Sequence, residues 1–511
     1  MADKTSPGTL LDILESGAPS HPALVAPGGP VVTYDSLRLQ VRTLASSLRA
    51  MGIDRGDRVA IVLPNGIEAI VTFLAVAAAA TAAPLNPAYR AAEFEFYVDD
   101  TNATALITRD DVGSEARSAV PASVMDIRTS LDEAGRVSLT GTQIAERELA
   151  ADLETAPPKP DDVALVLHTS GTTSRPKRVP LAHRNLTASI ENIVETYDLS
   201  DRDVSLCVMP LFHIHGLVAS TLSTLRSGGT VVVPPRFNPM GFWPLVEESQ
   251  ATWFSAVPTM FQALLSRARR GSAPRNAGSL RFIRSCSAAL SPATMKQMES
   301  TFQAPVLEAY GMTEAAHQMT SNPLPPGNRT PGSVGKGTGV TIGIMDEAGE
   351  LKPMGSVGEV VISGPNVIRE YESNPEANAA SFVGDWFRTG DEGQLDENGV
   401  LTLRGRIKEL INRSGEKVSP VEIDEALLSH PAVAEAVAFG VPHPTHGEEP
   451  VAAVVLGDQA TERELIAHCR QTLASFKIPR TIHLVDSIPR TATGKVQRRI
   501  VAEVITGGSA N

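Results

Sequence analysis

The stretch from Leu167 to Pro180, LHTSGTTSRPKRVP, constrains the fold of this chain more than any other part of the sequence. It follows an apolar run and precedes an amphipathic segment, which is the order of a strand, a loop and a helix. A loop rich in glycine and hydroxyl residues offers N–H groups and hydroxyls to the oxygens of a polyphosphate. It is not a Walker loop, because Pro176 stands where that motif has a glycine. The pattern predicts a nucleotide phosphate loop made of Thr169, Ser170, Gly171, Thr172, Thr173 and Lys177.

Length and charge limit both the architecture and the partners. A chain of 511 residues is too long for one hydrophobic core, so several units are expected. The net charge of −13 argues against nucleic acid or an anionic membrane as the main partner. Three widely spaced cysteines give neither a disulfide framework nor a zinc site and fit a reducing cytoplasm. The N-terminus lacks the pattern of a secretory signal, and the alanine-rich stretch from Ala69 to Leu85 predicts a buried helix rather than a membrane span.

Short apolar runs alternate with helical patterns through about the first 340 residues. Apolar residues between Leu37 and Met51 recur every three or four positions, which predicts an amphipathic helix with Asp35 as its cap. The run RVAIVL, Arg58 to Leu63, has the character of a strand, and similar runs recur along the chain. This alternation predicts an α/β fold in which parallel sheets are covered by helices.

After about residue 340 the pattern changes to short strands separated by turns. The pair Ser419-Pro420 predicts the start of a helix that continues to Leu428, and Thr461 with Glu464 predicts a capping box for another. About a hundred residues of mixed helices and strands predict a separate α+β domain. We place the boundary so that residues 1–405 form a large N-terminal part and residues 406–511 a small C-terminal domain.

Three further motifs follow the loop in the chain: EAYGMTEA from Glu308, WFRTGD with GRIKELI from Trp386 to Ile411, and PRTATGKVQRR from Pro489. Together with the loop they resemble the signatures of the acyl-adenylate-forming superfamily, which includes acyl-CoA synthetases, firefly luciferase and the adenylation domains of peptide synthetases. The resemblance covers nearly the whole chain. It implies ATP, Mg²⁺ and coenzyme A as cofactors or co-substrates, a carboxylic acid as substrate, and a mobile C-terminal domain.

In the first of these motifs, the resemblance implies that Tyr310 stacks on adenine, that Thr313 contacts phosphate and that Glu314 holds Mg²⁺. A hard cation that bridges phosphates prefers carboxylate oxygen, which makes Glu314 chemically suitable. His213, in the segment PLFHIHG, is included among the catalytic candidates. The alternative for the motif alone is a strand end with a helix-capping threonine.

In the later motifs, the resemblance implies that Asp391 and Arg406 hold the ribose hydroxyls and that Lys408 is the hinge. Lys495 matches the catalytic lysine, whose ammonium stabilises the negative charge that develops at the α-phosphorus. Lys417, in SGEKVSP, is expected to meet the nucleotide part of coenzyme A. Taken singly, these lysines could be ordinary solvated residues.

The segments expected to line the acid pocket are unusually polar. They contain His215, Ser287, His317 and Arg284, whereas an enzyme for fatty or aromatic acids favours an apolar lining, because an unpaired buried polar group costs about 1–3 kcal/mol. Each residue alone is more often structural than a ligand. Together they favour an acid with a second small polar group. The segments also resemble those of the oxalate-CoA ligases of plants and fungi, which implies conversion of oxalate to oxalyl-CoA.

Several alternatives stay open. The chain could be a CoA ligase for medium-chain or aromatic acids, a stand-alone adenylation enzyme that loads a carrier protein, or a luciferase-like oxygenase, since fold does not fix function. A non-catalytic nucleotide sensor is disfavoured because Lys495 and Glu314 are both present. The sequence departs from the family pattern at Arg178, where glycine usually follows the loop lysine. Arg178 could meet phosphate, face solvent or disturb the loop.

Overall fold

The computed structural model describes residues 8–141, 157–169, 176–268, 278–491 and 496–507. Strands in the first half are β1 Pro22–Val25, β2 Val31–Thr33, β3 Arg58–Val62, β4 Thr81–Pro84, β5 Ala105–Arg109, β6 Met125–Leu131, β7 Val137–Gly141, β8 Val163–Thr169, β9 Lys177–Ala182, β10 Val204–Leu206, β11 Thr230–Val232 and β12 Trp253–Ala256. Then come β13 Phe282–Ser285, β14 Val306–Met312, β15 His317–Ser321, β16 Lys336–Gly337, β17 Thr341–Met345, β18 Val357–Ser363, β19 Phe382–Val383, β20 Trp386–Leu395 and β21 Leu401–Arg406. The last strands are β22 Ile411–Arg413, β23 Glu416–Val418, β24 Val433–His443, β25 Gly447–Leu456 and β26 Thr481–Leu484.

The α-helices of the described residues are α1 Tyr34–Ala50, α2 Ile67–Ala79, α3 Ala91–Thr101, α4 Ser114–Ala119, α5 His183–Thr196, α6 Ser223–Arg226, α7 Phe242–Ser249, α8 Pro258–Arg267, α9 Pro292–Phe302, α10 Pro375–Ser381, α11 Pro420–Leu428, α12 Glu462–Thr472 and α13 Arg498–Thr506. Short 3₁₀ turns occupy Asp12–Ser16, Thr313–Ala315, Ile407–Glu409 and Ser475–Lys477. A π-helix, His215–Leu222, runs directly into α6. None of the helices in these ranges has the length and apolar character that a bilayer crossing needs.

Two large sheets form the N-terminal part. One has the order β16-β15-β14-β13-β12-β10-β11-β1-β2 and is parallel from β14 to β1. The other has the order β7-β6-β5-β3-β4-β8-β9 and is parallel from β6 to β8. Helix α5 packs on β8 and β9 of one sheet and on β15 of the other, so it lies between them. The predicted α/β architecture with parallel sheets and covering helices is therefore confirmed.

Two details of the first helices differ from the sequence expectation. Helix α1 begins at Tyr34, and its cap is Thr33, whose Oγ1 accepts from the Ser36 N–H at 3.3 Å, rather than Asp35. The hydroxyl lies at the position where it satisfies an otherwise unpaired donor of the first turn. Helix α2 is completely buried as expected, but it ends at Ala79 and the chain continues as β4, in which Pro84 is half-buried. An apolar run that is buried on all sides cannot reveal from periodicity where a helix becomes a strand.

The chain after residue 340 forms two smaller sheets. Antiparallel strands in the order β17-β18-β20-β19, with β21 on β20, make the first. The second has the order β23-β22-β25-β24, with β26 parallel to β25, and has its own core on each face. Helix α11 spans Pro420–Leu428 with Ser419 as its cap, and the capping box of Thr461 and Glu464 starts α12, as predicted. Arg406 is the last residue of β21, and the domain boundary between residues 405 and 406 stays a prediction.

Candidate active site

The candidate site lies where the two large sheets and the small antiparallel sheet approach one another. Strands β8 and β9 form an antiparallel pair in which Thr169 lies opposite Lys177. This pairing brings the two ends of the predicted phosphate loop together. The loop residues Ser170, Gly171, Thr172 and Thr173 lie outside the described residues, so their predicted contacts with phosphate stay predictions.

Glu314 is held in place by a tyrosine that no motif predicted. It lies in the 3₁₀ turn after β14, and its Oε1 accepts a hydrogen bond of 2.7 Å from Tyr371 Oη. The ring of Tyr371 in turn lies under Lys177, whose Nζ is 4.4 Å from the ring centroid. Burial lowers the pKa of Lys177, Glu314 opposes this shift, and the positive charge of Lys408 adds to it. Glu314, Lys177 and Lys408 therefore meet in one electrostatic cluster.

The Glu314 carboxylate is suited to a hard cation. Tyr371 is its hydrogen-bond donor among the described side chains and occupies Oε1, which leaves Oε2 for a metal. The nearby Lys177 is a donor toward phosphate oxygens rather than a metal ligand. The donor set thus fits Mg²⁺ that is shared with a polyphosphate, because Mg²⁺ usually takes one or two carboxylates plus substrate oxygens.

Asp391 contacts two other predicted nucleotide residues, Tyr310 and Arg406. It lies in β20 directly opposite Arg406 in β21, and Arg406 Nε is 2.9 Å from Asp391 Oδ1. The hydroxyl of Tyr310 donates to Asp391 Oδ2, and Arg406 also donates to the Thr389 carbonyl at 3.0 Å. Burial raises the pKa of Asp391, while Arg406 and the Tyr310 hydrogen bond oppose the rise. A buried carboxylate anchored on both oxygens is a rigid acceptor for vicinal hydroxyls.

A second cluster lies at the carboxyl ends of β12, β13 and β14, where open parallel sheets bind ligands. His215 begins the π-helix, and its ring stacks on His317 with a centroid distance of 5.1 Å. Its Nδ1 is 3.1 Å from Ser287 Oγ, and its Nε2 is 2.6 Å from Ser255 Oγ. The structure therefore brings together His215, Ser287 and His317, which come from three distant segments.

Arg284 lies directly behind this cluster and is completely buried. Register places it opposite Ser255 on the neighbouring strand, and alternation turns both side chains to the face covered by α5 and the π-helix. Its Nη1 donates to Ser255 Oγ at 3.0 Å and lies 3.5 Å from His215 Nε2. Its Nε donates to Tyr197 Oη at 2.8 Å, and Nη2 to Gln318 Oε1 at 3.0 Å. Arg284 as a direct substrate ligand stays a prediction.

The backbone around the second cluster is conformationally unusual. Ser287, Ala316 and His317 have φ values of 73°, 49° and 110°, in the left-handed region that side chains rarely adopt. Gly311 opposes Gln318 in the next strand, and a Cβ on it would lie 2.0 Å from the His317 carbonyl oxygen. Such strain is typical of ligand sites, where the surrounding structure holds side chains in fixed directions.

Three other predicted residues have different surroundings. His213 is half-buried before the π-helix, and its Nδ1 accepts from the His215 N–H at 3.2 Å. Lys417 is exposed on β23, and its Nζ lies 3.9 Å from Glu347 Oε1. Thr313 opens the 3₁₀ turn that carries Glu314. Lys495 lies outside the described residues, so its catalytic role stays a prediction.

Arg178 does not face solvent, because its side chain is only 14% exposed. It lies opposite His168 in the β8–β9 pair and donates to the Asp100 carbonyl. Its Nε is 3.4 Å from Glu372 Oε2, and the Glu372 N–H donates to the Arg178 carbonyl at 3.2 Å. Arg178 thus ties the end of the phosphate loop to the segment that carries Tyr371.

Sequence reasoning missed the supporting residues Tyr371, Ser255, Tyr197 and Gln318. Tyr371, Ser255 and Tyr197 lie outside the motifs, whereas Gln318 directly follows His317 in a segment expected to line the acid pocket; each meets its functional partner only through the fold. For Ser255 a weak signal was available, since a serine near the end of a buried apolar strand, WFSA, breaks the hydrophobic run.

Known proteins are similar to this chain over nearly its whole length. The family described as "AMP-binding enzyme" matches residues 15–372, and "AMP-binding enzyme C-terminal domain" matches residues 422–495. The oxalate–CoA ligase of Arabidopsis thaliana is 47% identical over 508 residues, which cover 97% of this chain and 98% of that protein. The oxalate–CoA ligase of Saccharomyces cerevisiae is 47% identical, with 89% and 88% covered. The crystal structure of ATP-bound MatB from Rhodopseudomonas palustris is 30% identical, with 97% and 98% covered and a TM-score of 0.85.

Proposed function

The chain belongs to the AMP-binding enzyme family, and on that premise we propose that it is an ATP-dependent carboxylate–CoA ligase whose acid is oxalate. One observation carries the choice of acid. The second cluster, at the carboxyl ends of β12, β13 and β14, contains the polar side chains of His215, Ser287 and His317. The buried cation Arg284 lies behind them. A fatty or aromatic acid would place apolar groups against these polar side chains and would give the buried charge of Arg284 no counter-ion. A small dianion satisfies them.

The reaction has two steps. In the first, one carboxylate of the acid attacks the α-phosphorus of ATP, pyrophosphate leaves, and an acyl-adenylate forms. In the second, the coenzyme A thiol attacks the acyl carbonyl and AMP leaves as the thioester forms. Bound at Glu314, Mg²⁺ would neutralise the charge that develops on the phosphate oxygens.

Each of the predicted nucleotide-binding residues has its own role in the adenylating step. Asp391 accepts the ribose hydroxyls, and the ring of Tyr310, fixed through its hydroxyl on Asp391, lies beside the adenine. Lys177 and Thr169 contact the phosphates at the two ends of the loop. Lys495 delivers an ammonium to the α-phosphate.

The thioester step uses the C-terminal domain in a second position. Lys408 follows the end of β21 and precedes the small sheet, so rotation at this residue moves α11 to α13 together. The hairpin of β22 and β23, which carries Lys417, then faces the incoming coenzyme A. A cytoplasmic location is part of the proposal, and it is supported by the three cysteines, which are all unpaired and buried.

Pyrophosphate release over a panel of acids tests the proposal. Oxalate, malonate, hexanoate and cinnamate are supplied in turn with ATP and Mg²⁺, and oxalate is expected to give the highest kcat/KM. Addition of coenzyme A should then release free AMP and oxalyl-CoA. Adenylation of hexanoate or cinnamate with no response to oxalate would contradict the choice of acid. Transfer to a carrier-protein pantetheine but not to coenzyme A would contradict the CoA ligase activity.

A further inference from the structure

Arg284 is a buried cation whose charge an anionic substrate can balance. The guanidinium is completely buried, and no carboxylate is among its hydrogen-bond partners in the described part of the chain, which are Tyr197, Ser255, Gln318, Cys286 and the ring of His215. A buried charge without an opposite charge is costly, and the cost falls when an anion binds nearby. The cluster in front of Arg284 is the predicted site of the acid. The charge of Arg284 is therefore balanced only when the acid site holds an anion.

The direction of each hydrogen bond in the cluster follows from the donors available. Arginine only donates, so Ser255 Oγ accepts from Arg284 Nη1 at 3.0 Å. Serine has a single proton to donate, and its remaining short contact is His215 Nε2 at 2.6 Å. Arg284 Nη1 also lies 3.5 Å from His215 Nε2, and arginine can only donate, so Nε2 is the acceptor and Ser255 donates its proton to it.

Because Nε2 of His215 is an acceptor, the other ring nitrogen, Nδ1, must carry the proton. With Nε2 accepting, the single ring proton of His215 is on Nδ1. Nδ1 lies 3.1 Å from Ser287 Oγ and donates to it. The proton of the Ser287 hydroxyl is then available to a ligand. Ser287 has a φ of 73°, which holds this residue in a direction that an ordinary strand end would not give.

We propose that Arg284 and Ser255 are positioning residues that fix His215 in its Nδ1–H tautomer, and that this orientation makes the Ser287 hydroxyl a donor to the second carboxylate of the acid. The proposal rests on the proposed function, because it presumes an acid with a second anionic group. The proposal also gives a physical cause for selectivity toward an acid with a second carboxylate. An acid with an alkyl group at this position would leave the oriented donor and the buried cation unpaired, and that loss discriminates more strongly than a change in apolar contact.

The first test measures the tautomer in the unmodified protein. Full-length enzyme with ¹⁵N-labelled histidine is examined by NMR near neutral pH, and the His215 signals are assigned by their loss in His215→Gln. The proposal expects a protonated Nδ1 and an unprotonated Nε2. A protonated Nε2 would overturn it, whether or not oxalate is a substrate.

The second test compares two substitutions of nearly equal size at Ser255, one that keeps the hydrogen-bond donor to His215 Nε2 and one that removes it. Asparagine can accept from Arg284 and donate to Nε2, as serine does, whereas aspartate can only accept and also neutralises Arg284. Ser255→Asp should raise KM for oxalate roughly 10- to 100-fold relative to Ser255→Asn, with KM for ATP unchanged. The His215 proton should move to Nε2 in the aspartate variant. Equal oxalate KM values in two folded variants would overturn the proposal.

The outcomes separate the two proposals. If the wild-type enzyme ignores oxalate and adenylates another acid, the proposed function fails and the tautomer measurement still decides the orientation of His215. If oxalate is the substrate but the two Ser255 variants behave alike, only the positioning role fails. Ser205→Ala is the control for a substitution in the same sheet: Ser205 is buried on neighbouring strand β10, its hydroxyl has no partner among the described residues, and oxalate KM should not change. If both Ser255 variants fail to fold, the wild-type spectrum decides.

Discussion

Tyr371 Oη donates a hydrogen bond of 2.7 Å to Glu314 Oε1, across 57 positions of the chain. The ring of Tyr371 also contacts the ammonium of Lys177, whose Nζ is 4.4 Å from the ring centroid. One aromatic side chain thus orients both the proposed Mg²⁺ ligand and the loop lysine. Partners of metal ligands fix the geometry of the ligand, and their loss weakens metal binding.

Tyr371→Phe is therefore expected to weaken the apparent affinity for Mg²⁺ by roughly 10- to 100-fold. The ring remains under Lys177, so the substitution removes only the hydroxyl from Glu314. Pyrophosphate release is measured against Mg²⁺ concentration at saturating oxalate. Tyr89→Phe is the matched control, since Tyr89 stacks on Tyr97 at 5.0 Å. An unchanged Mg²⁺ dependence in Tyr371→Phe would argue against Glu314 as the ligand.

Arg178→Gly is expected to preserve the reaction and to change KM for ATP only modestly, because Lys177 and the loop remain. The cost should appear in stability. Asp100 and Glu372 lose a cationic partner in a partly buried setting, which lowers the free energy of unfolding by about 1–3 kcal/mol. Thermal unfolding and ATP kinetics are compared in the same preparation. A folded but inactive variant would mean that Arg178 is a required ligand.

Lys495→Ala is expected to abolish adenylate formation while sparing thioester formation from supplied acyl-AMP. Three positions after this lysine in the chain, Arg498 donates to Asp424 at 2.6 Å and lies 3.3 Å from Glu409, the residue after Lys408. These contacts link the start of α13 to the proposed hinge, so both should move as one body. The two half-reactions are assayed separately. Equal loss of both would contradict a domain rotation between the steps.

Replacing His215 and His317 together by phenylalanine should remove the imidazole that orients the Ser287 hydroxyl toward the second carboxylate, together with the ring stacked on it. The expected cost for oxalate is about 2–5 kcal/mol in kcat/KM, the scale of truncating one side of a buried charged pair. KM for ATP should stay the same, because Asp391 and Glu314 are untouched. The control is the same exchange at His430 and His468, whose rings lie 5.0 Å apart in the C-terminal domain. Full oxalate activity in the variant with both His215 and His317 replaced would mean that these two histidines have only structural roles.

Glu308 is expected to make stability depend on pH. Its carboxyl accepts from the Leu290 and Gly332 N–H groups at 3.3 and 3.2 Å, and burial raises its pKa from 4.5 to about 8. Because the folded pKa exceeds the unfolded one, its contribution is fully present below about pH 4.5 and is lost as pH rises through about 8.

The test compares Glu308→Gln with the wild type at about pH 5 and about pH 9 by thermal unfolding. Glutamine does not titrate, so the stability of the wild type relative to the variant should fall as pH rises. Exposed Glu397, replaced in the same way, should show no such trend. A constant difference between wild type and Glu308→Gln would contradict a protonated Glu308 in the folded protein.

The sequence by itself determined the features that depend on neighbours in the chain. The cap at Ser419 and the box of Thr461 with Glu464 could be read directly, because capping joins residues three positions apart. Motifs likewise identified Glu314 and Asp391 as candidates, since each lies within a short recognisable segment. The alternation of strands and helices gave the parallel sheets, because burial on both faces selects continuous apolar runs.

Only the tertiary structure decided which side chains complete the site. Ser255 faces Arg284 through strand register, and Arg178 reaches Glu372 from a position nearly two hundred residues away. The direction of a hydrogen bond depends on every donor and acceptor around it, and the groups around His215 come from three separate segments. Local sequence cannot contain that information, because the preference of a residue for helix or strand says nothing about which distant group will lie within 3 Å of it.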